Sequence, residues 1–145
     1  MIQLEFSYRG GLAGKIVQAF TWSWCSHVDF VLPDNRLLGA VPDGGVSIRE
    51  WTPADRIERY FVDAPDSVLF AAMDLIGKPY DWKAIIGIGL RQDWHDPDAW
   101  FCSECVEHCF EVADKPLIRS EHINRVWPNH LLMSPRLIPN KDFRC

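Results

Sequence analysis

The chain has 145 residues, 48% hydrophobic and 24% charged, with a net charge of −5. This balance excludes a disordered chain and suits one domain of ordinary size spanning residues 1–145. The acidic balance and singly scattered basic residues exclude a nucleic-acid binder, which needs a basic stripe to displace counterions. No apolar run approaches the ~20 residues that span a bilayer, so no transmembrane segment is expected. The opening MIQLEFSYRGG lacks a basic region followed by an apolar one, so the expectation is a cytoplasmic product without a secretory signal.

In chain order, residues 1–7 alternate Ile2, Leu4 and Phe6 with polar partners, which predicts a strand. After Gly10-Gly11, residues 12–21 place Leu12, Ile16, Val17 and Phe20 on one helical face. Residues 27–32 and 36–41 are β-rich runs joined by Pro33-Asp34-Asn35, a hairpin. Residues 46–49 and 57–62 continue the strand group. The period then changes to 3.6 over residues 65–76, a helix stopped by Gly77. Residues 81–90 are read as a short helix, 102–112 as a further helix, and 127–133 as a last short one. Pro116, Pro128, Pro135 and Pro139 leave the rest of the tail irregular. Strands followed by helices give an α+β fold with an antiparallel sheet.

The five cysteines are Cys25, Cys102, Cys105, Cys109 and Cys145. An odd count without an export signal reads as free thiols, not as a disulfide framework. The densest chemical signal is Phe101-Cys102-Ser103-Glu104-Cys105-Val106-Glu107-His108-Cys109. Cys102 opens a helix, where unpaired N–H groups and the dipole favour a thiolate. Cys105 and Cys109 share its face deeper in the helix and read as small core residues. Zinc fails on geometry, because His108 points about 100° away from Cys109 on a helix. No metal and no cofactor is expected.

A nucleophilic thiolate needs an imidazole. His108 lies on the wrong helical face, and His95, His122 and His130 fall in polar, loop-like surroundings. His27 opens an apolar strand. By spacing alone a structural role for it is the commoner case, since base and nucleophile meet only in the fold.

Two further stretches carry a resemblance. Gly77-Lys78-Pro79-Tyr80-Asp81-Trp82, followed later by Phe101-Cys102-Ser103-Glu104, resembles the nucleophile half of the NlpC-type papain-like peptidases and amidases. The run from Ser26-His27-Val28-Asp29 to Asn35 resembles their base-bearing strand and hairpin. Here the His half comes first, as in the circularly permuted YiiX-type hydrolases, and Trp127-Pro128-Asn129-His130-Leu131-Leu132 with Ser134-Pro135 resembles the closing segment of that branch.

The resemblance implies a permuted papain-like fold and a cysteine hydrolase acting on peptide or amide bonds, with cell-wall muropeptides the leading substrate. A chain without a signal would reach them by a phage particle, lysis or a secretion apparatus. Cys102 is then the nucleophile, His27 the base, and Cys102 N–H part of an oxyanion hole. Tyr80 corresponds to the tyrosine beside that site, and Ser103 is a candidate cleft residue. The relatives' polar residue that orients the base falls on Gly39, which has no side chain. Asp29, two residues from His27 on one strand face, is the nearest substitute orienter, against a reading as a solvated acid. Two other functions fit the same residues. One is an acyltransferase or thioesterase with an apolar groove lined by Trp22, Trp24 and Trp100. The other is an inactive binding module.

Overall fold

The computed structural model describes residues 1–81, 98–119 and 125–143. The helix expected over 81–90, His95, His122 and Cys145 lie outside the described residues, as does the side chain of Phe20.

Among the described residues six strands form one sheet: β1 (Ile2–Tyr8), β2 (His27–Val31), β3 (Leu37–Val41), β4 (Gly45–Arg49), β5 (Arg56–Val62) and β6 (Ile138–Pro139). Their order is β4-β3-β2-β1-β5-β6, and every adjacent pair is antiparallel. Among the described residues there are four helices: α1 (Leu12–Thr21), α2 (Ser67–Asp74), α3 (Cys102–Val112) and α4 (Pro128–Leu132). The fold is thus α+β, as the strand and helix patterns predict. No helix among the described residues is long and apolar enough to cross a membrane.

Central β1 alternates as expected, with Ile2, Leu4 and Phe6 in the core beside Val28 and Phe30 of β2. Its other side departs from expectation: Glu5 and Ser7 are also buried. Glu5 is held by Arg59 Nη2 at 2.8 Å and accepts the Trp51 indole N–H at 2.8 Å, so the buried carboxylate is compensated. The β2–β3 turn forms because Asn35 adopts φ 67° and the Leu32 amide donates to Arg36 O at 2.8 Å. On α1, Val17 is buried but Leu12 is 79% exposed, so the apolar face is narrower than its spacing implies.

Helix α3 lies against the sheet, where Phe110 stacks on Phe30 with ring centroids 6.1 Å apart. Helix α2 ends at Asp74, and the chain turns at Gly77, whose φ of 90° suits glycine. The segment after it docks on β4: Gly77 N donates to Val46 O at 2.9 Å, and Val46 N to Lys78 O at 2.9 Å. Gly45 permits this approach, since any Cβ there would overlap Lys78 O. The tail is less irregular than its prolines suggest, because Ile138 pairs with Phe61 to add β6.

Candidate functional site

Three segments converge on the start of α3. The first is β2, in which His27 and Asp29, two residues apart, lie on one side of the strand. His27 Nε2 stands 3.0 Å from Asp29 Oδ2, and Asp29 Oδ1 stands 2.5 Å from Arg49 Nη2 on β4. The His27–Asp29 pair is close in distance but poorly aligned as a hydrogen bond, so its attraction is chiefly that of opposite charges. Asp29 is 1% exposed, so the reading as a solvated strand acid does not hold. Burial alone would raise its carboxyl, yet the charges of His27 and Arg49 outweigh that and hold it below the usual range.

The second segment is the opening of α3. Cys102 is fully buried at the first helical position, near enough to the His27 imidazole for the two groups to influence each other electrostatically. Burial pulls the imidazole toward neutrality, but Asp29 and Cys102 together overcome it and raise its pKa to about 10. A charged imidazole between two acidic groups is what geometry and charge favour here.

The third segment carries Tyr80. Trp100 N donates to Pro79 O at 2.9 Å and Asp81 N to Trp100 O at 3.2 Å, which sets Tyr80 beside the entry to α3. The Tyr80 ring lies 5.9 Å from that of Phe101. Burial first, then the charges of Cys102, Asp81 and Glu104, push its hydroxyl far above the usual range, so it remains a donor.

The other residues singled out from sequence are placed elsewhere. Ser103 is fully buried, and its hydroxyl donates to Val126 O at 2.7 Å, tying α3 to the chain before α4. Cys105 and Cys109 are buried in the core. Cys25 is buried too, donating to His27 O at 3.2 Å; burial raises its thiol to about 12. His108 packs on Trp100 with ring centroids 4.7 Å apart. His130 is not loop-like: it lies in α4, where Nδ1 accepts the Trp127 amide at 3.2 Å.

Of the three tryptophans, Trp24 carries Arg56 at 4.1 Å from its ring centroid, Trp100 faces His108, and Trp22 is 95% exposed. A cleft of about 430 Å³ opens beside the histidine, lined by His27, Arg9, Arg49, Leu12 and Asp43 among others and by none of the three tryptophans. Arg49 was not legible as a site residue. The only sequence signal was its place at the end of a strand two hairpin arms away from Asp29.

The fold defined by this sheet and helix set is that of a known class of small α+β proteins. A solved structure described as metalloprotein yiiX from Escherichia coli O157:H7, DUF1105, matches with a TM-score of 0.74 over 95% of this chain and 94% of that chain. Sequence identity is 16%, so the likeness is one of fold, and the chain has a YiiX-like fold. No protein-family model and no curated protein matches the sequence. That neighbour is described as a metalloprotein. Among the described residues of this chain, no group of three or more His, Cys, Asp or Glu side chains is arranged to hold a metal ion.

Proposed function

We propose that the chain is a cysteine hydrolase of the permuted papain-like kind, cleaving peptide or amide bonds through an acyl-enzyme. The observation that carries this reading is the half-buried His27 imidazole, 3.0 Å from the Asp29 carboxylate and under the electrostatic influence of the Cys102 thiol. With Nε2 turned to Asp29, Nδ1 is the nitrogen left to take the thiol proton, giving a thiolate–imidazolium pair. Asp29 then orients the ring and stabilises its charge, in the role that a side chain from the next strand has in the relatives the sequence resembles.

The thiolate attacks the carbonyl carbon. The oxyanion accepts the Cys102 backbone N–H at the start of α3 and the Tyr80 hydroxyl. Collapse of the tetrahedral species expels the amine, which takes the proton from His27. A water then gives its proton to His27 and attacks the thioester, releasing the acid and restoring the thiol. The order of the chain, with β2 before α3, fits the permuted branch. Muropeptide stems are the leading substrate by that resemblance.

The test is intact-mass detection of an acyl adduct on Cys102 after mixing with matched p-nitrophenyl ester, p-nitroanilide and muropeptide substrates. An adduct from the anilide or the muropeptide supports amide chemistry. An adduct from esters alone would favour a thioesterase or acyltransferase. No adduct from any of them would favour an inactive binding module.

A further inference from the structure

We infer that the cleft beside His27 selects substrates bearing a carboxylate, and that Arg9 is the residue that recognises it. This deepens the hydrolase reading and rests on it for the word substrate, although the binding itself does not require a reactive thiol.

Arg9, just after β1, lines the same cleft as His27. Its guanidinium is fixed in place: Nη1 donates to Thr52 Oγ1 at 2.7 Å and to Pro53 O at 3.2 Å, and Nη2 donates to Thr52 O at 2.8 Å. All three acceptors are neutral. No carboxylate pairs with Arg9 among the described residues, while Arg36, Arg49, Arg56, Arg59 and Arg125 each have one; Arg136 also lacks one, but it binds backbone carbonyls and does not line this cleft. Its Nε–H is buried without an acceptor. A guanidinium has five N–H groups, and three are spent. The two left are the buried Nε–H and one N–H on Nη2; the Nη2 group is the one that can donate to a carboxylate oxygen entering the cleft, with the charge of the guanidinium behind it.

The surroundings add to the case. Arg49 on the cleft wall shares its charge with Asp29, and its own Nε is also buried without an acceptor. His27 between Asp29 and Cys102 is drawn toward its charged form. Against these stand two carboxylates that keep their charge, exposed Asp43 and Asp55, which accepts the Gly10 amide at 3.1 Å. The preference for an anion is therefore local to the Arg9 guanidinium, whose hydrogen-bond acceptors are all neutral. An arginine fixed in the cleft that His27 also lines, with no carboxylate partner among the described residues, fits a peptide carboxylate, either the chain terminus or an acidic side chain.

The experiment is an amide-resolved NMR titration of the full chain with three small ligands. N-acetylglycylglycine carries a terminal carboxylate, the α-amide of N-acetylglutamate carries a side-chain carboxylate, and N-acetylglycylglycinamide is the neutral control. At least one anion should bind five-fold or more tighter than the neutral ligand, shifting Gly10, Gly11 and His27. Which anion binds tells terminal from side-chain recognition. Arg9→Gln should abolish the difference, whereas Thr52→Val, which removes one tether but no charge, should keep it. Equal affinity for all three ligands, no binding of any, or an unchanged preference in a folded Arg9→Gln chain would overturn the inference. Should Arg9→Gln not fold, the Arg9 side-chain N–H resonances of the unmodified protein decide: they should shift with the bound anion and not with the neutral ligand, and the reverse would overturn the inference. Failure of the hydrolase reading shows separately, as an absent acyl adduct.

Discussion

Gly39 on β3 leaves open the space that the Asp29 carboxylate fills, since any Cβ at Gly39 would overlap Asp29 Oδ1. The two positions are linked: a strand with a side chain at residue 39 could not accept an acid at residue 29 in this conformation. The absence of a polar side chain on β3 and the presence of a buried acid on β2 are therefore one arrangement. Asp29 is held from both sides, by Arg49 and His27, so it has nowhere to retreat. Gly39→Ala should cost about 1–3 kcal/mol of stability, as overpacking does, and lower kcat with it. Denaturant melts and a turnover assay check both. Gly39→His should do no better than Gly39→Ala, although it restores a polar side chain on that strand.

The charge on His27 sets a pH dependence. Its pKa is raised from 6.5 to about 10, so the stability it contributes is full below 6.5 and is lost as pH rises toward 10. Glu107 adds a fall of its own at lower pH. Buried in α3, it accepts the Leu117 and Ile118 amides, and burial raises it from 4.5 to about 7. The arm from about pH 7 to about 8.5, below the ordinary thiol range, is therefore the one to read. In a Cys102→Ser chain, where no thiol proton offsets the one His27 holds, stability should fall across it, and adding Asp29→Asn should flatten the fall. Asp29→Asn should also lower kcat modestly, because the imidazole loses its orienter but not its place.

Tyr80→Phe separates two roles of a buried tyrosine. If the hydroxyl donates to the oxyanion, kcat falls by roughly 10²-fold with little change in KM or Tm. A lower Tm with unchanged kcat would make Tyr80 a packing residue.

Cys105 and Cys109 lie in the core one and two turns beyond Cys102. Replacing either with serine buries a hydroxyl and should cost about 1–3 kcal/mol while leaving the chemistry in place. Thermal denaturation and a turnover assay distinguish this from Cys102→Ser, which should abolish turnover in a folded chain.

Much of this was legible in the sequence where the signal is local. The helix opening at Cys102, the hairpin around Asn35 and α1 follow from apolar period and turn chemistry within a dozen residues. What was not legible depends on strand register. Asp29 reads as a solvated acid until β3 and β4 are laid beside it, because the space at Gly39 and the charge of Arg49 come from later strands. Nothing local marks Glu107 as buried, for the same reason: its partners, Leu117 and Ile118, follow the helix and fold back on it. Ser103 has a buried carbonyl partner at Val126 that no local pattern announces. β6 escaped notice because a two-residue strand containing proline has almost no periodicity to detect.

The central claim is that His27 activates Cys102, and the most direct measurement is the rate at which iodoacetamide alkylates each cysteine, resolved by peptide mass. At pH near 7, Cys102 should react at least ten-fold faster than the equally buried Cys25, Cys105 or Cys109, as expected of a thiolate held by an imidazolium. In His27→Ala that advantage should vanish. A Cys102 that reacts no faster than those three, or equally fast with and without His27, would contradict the account.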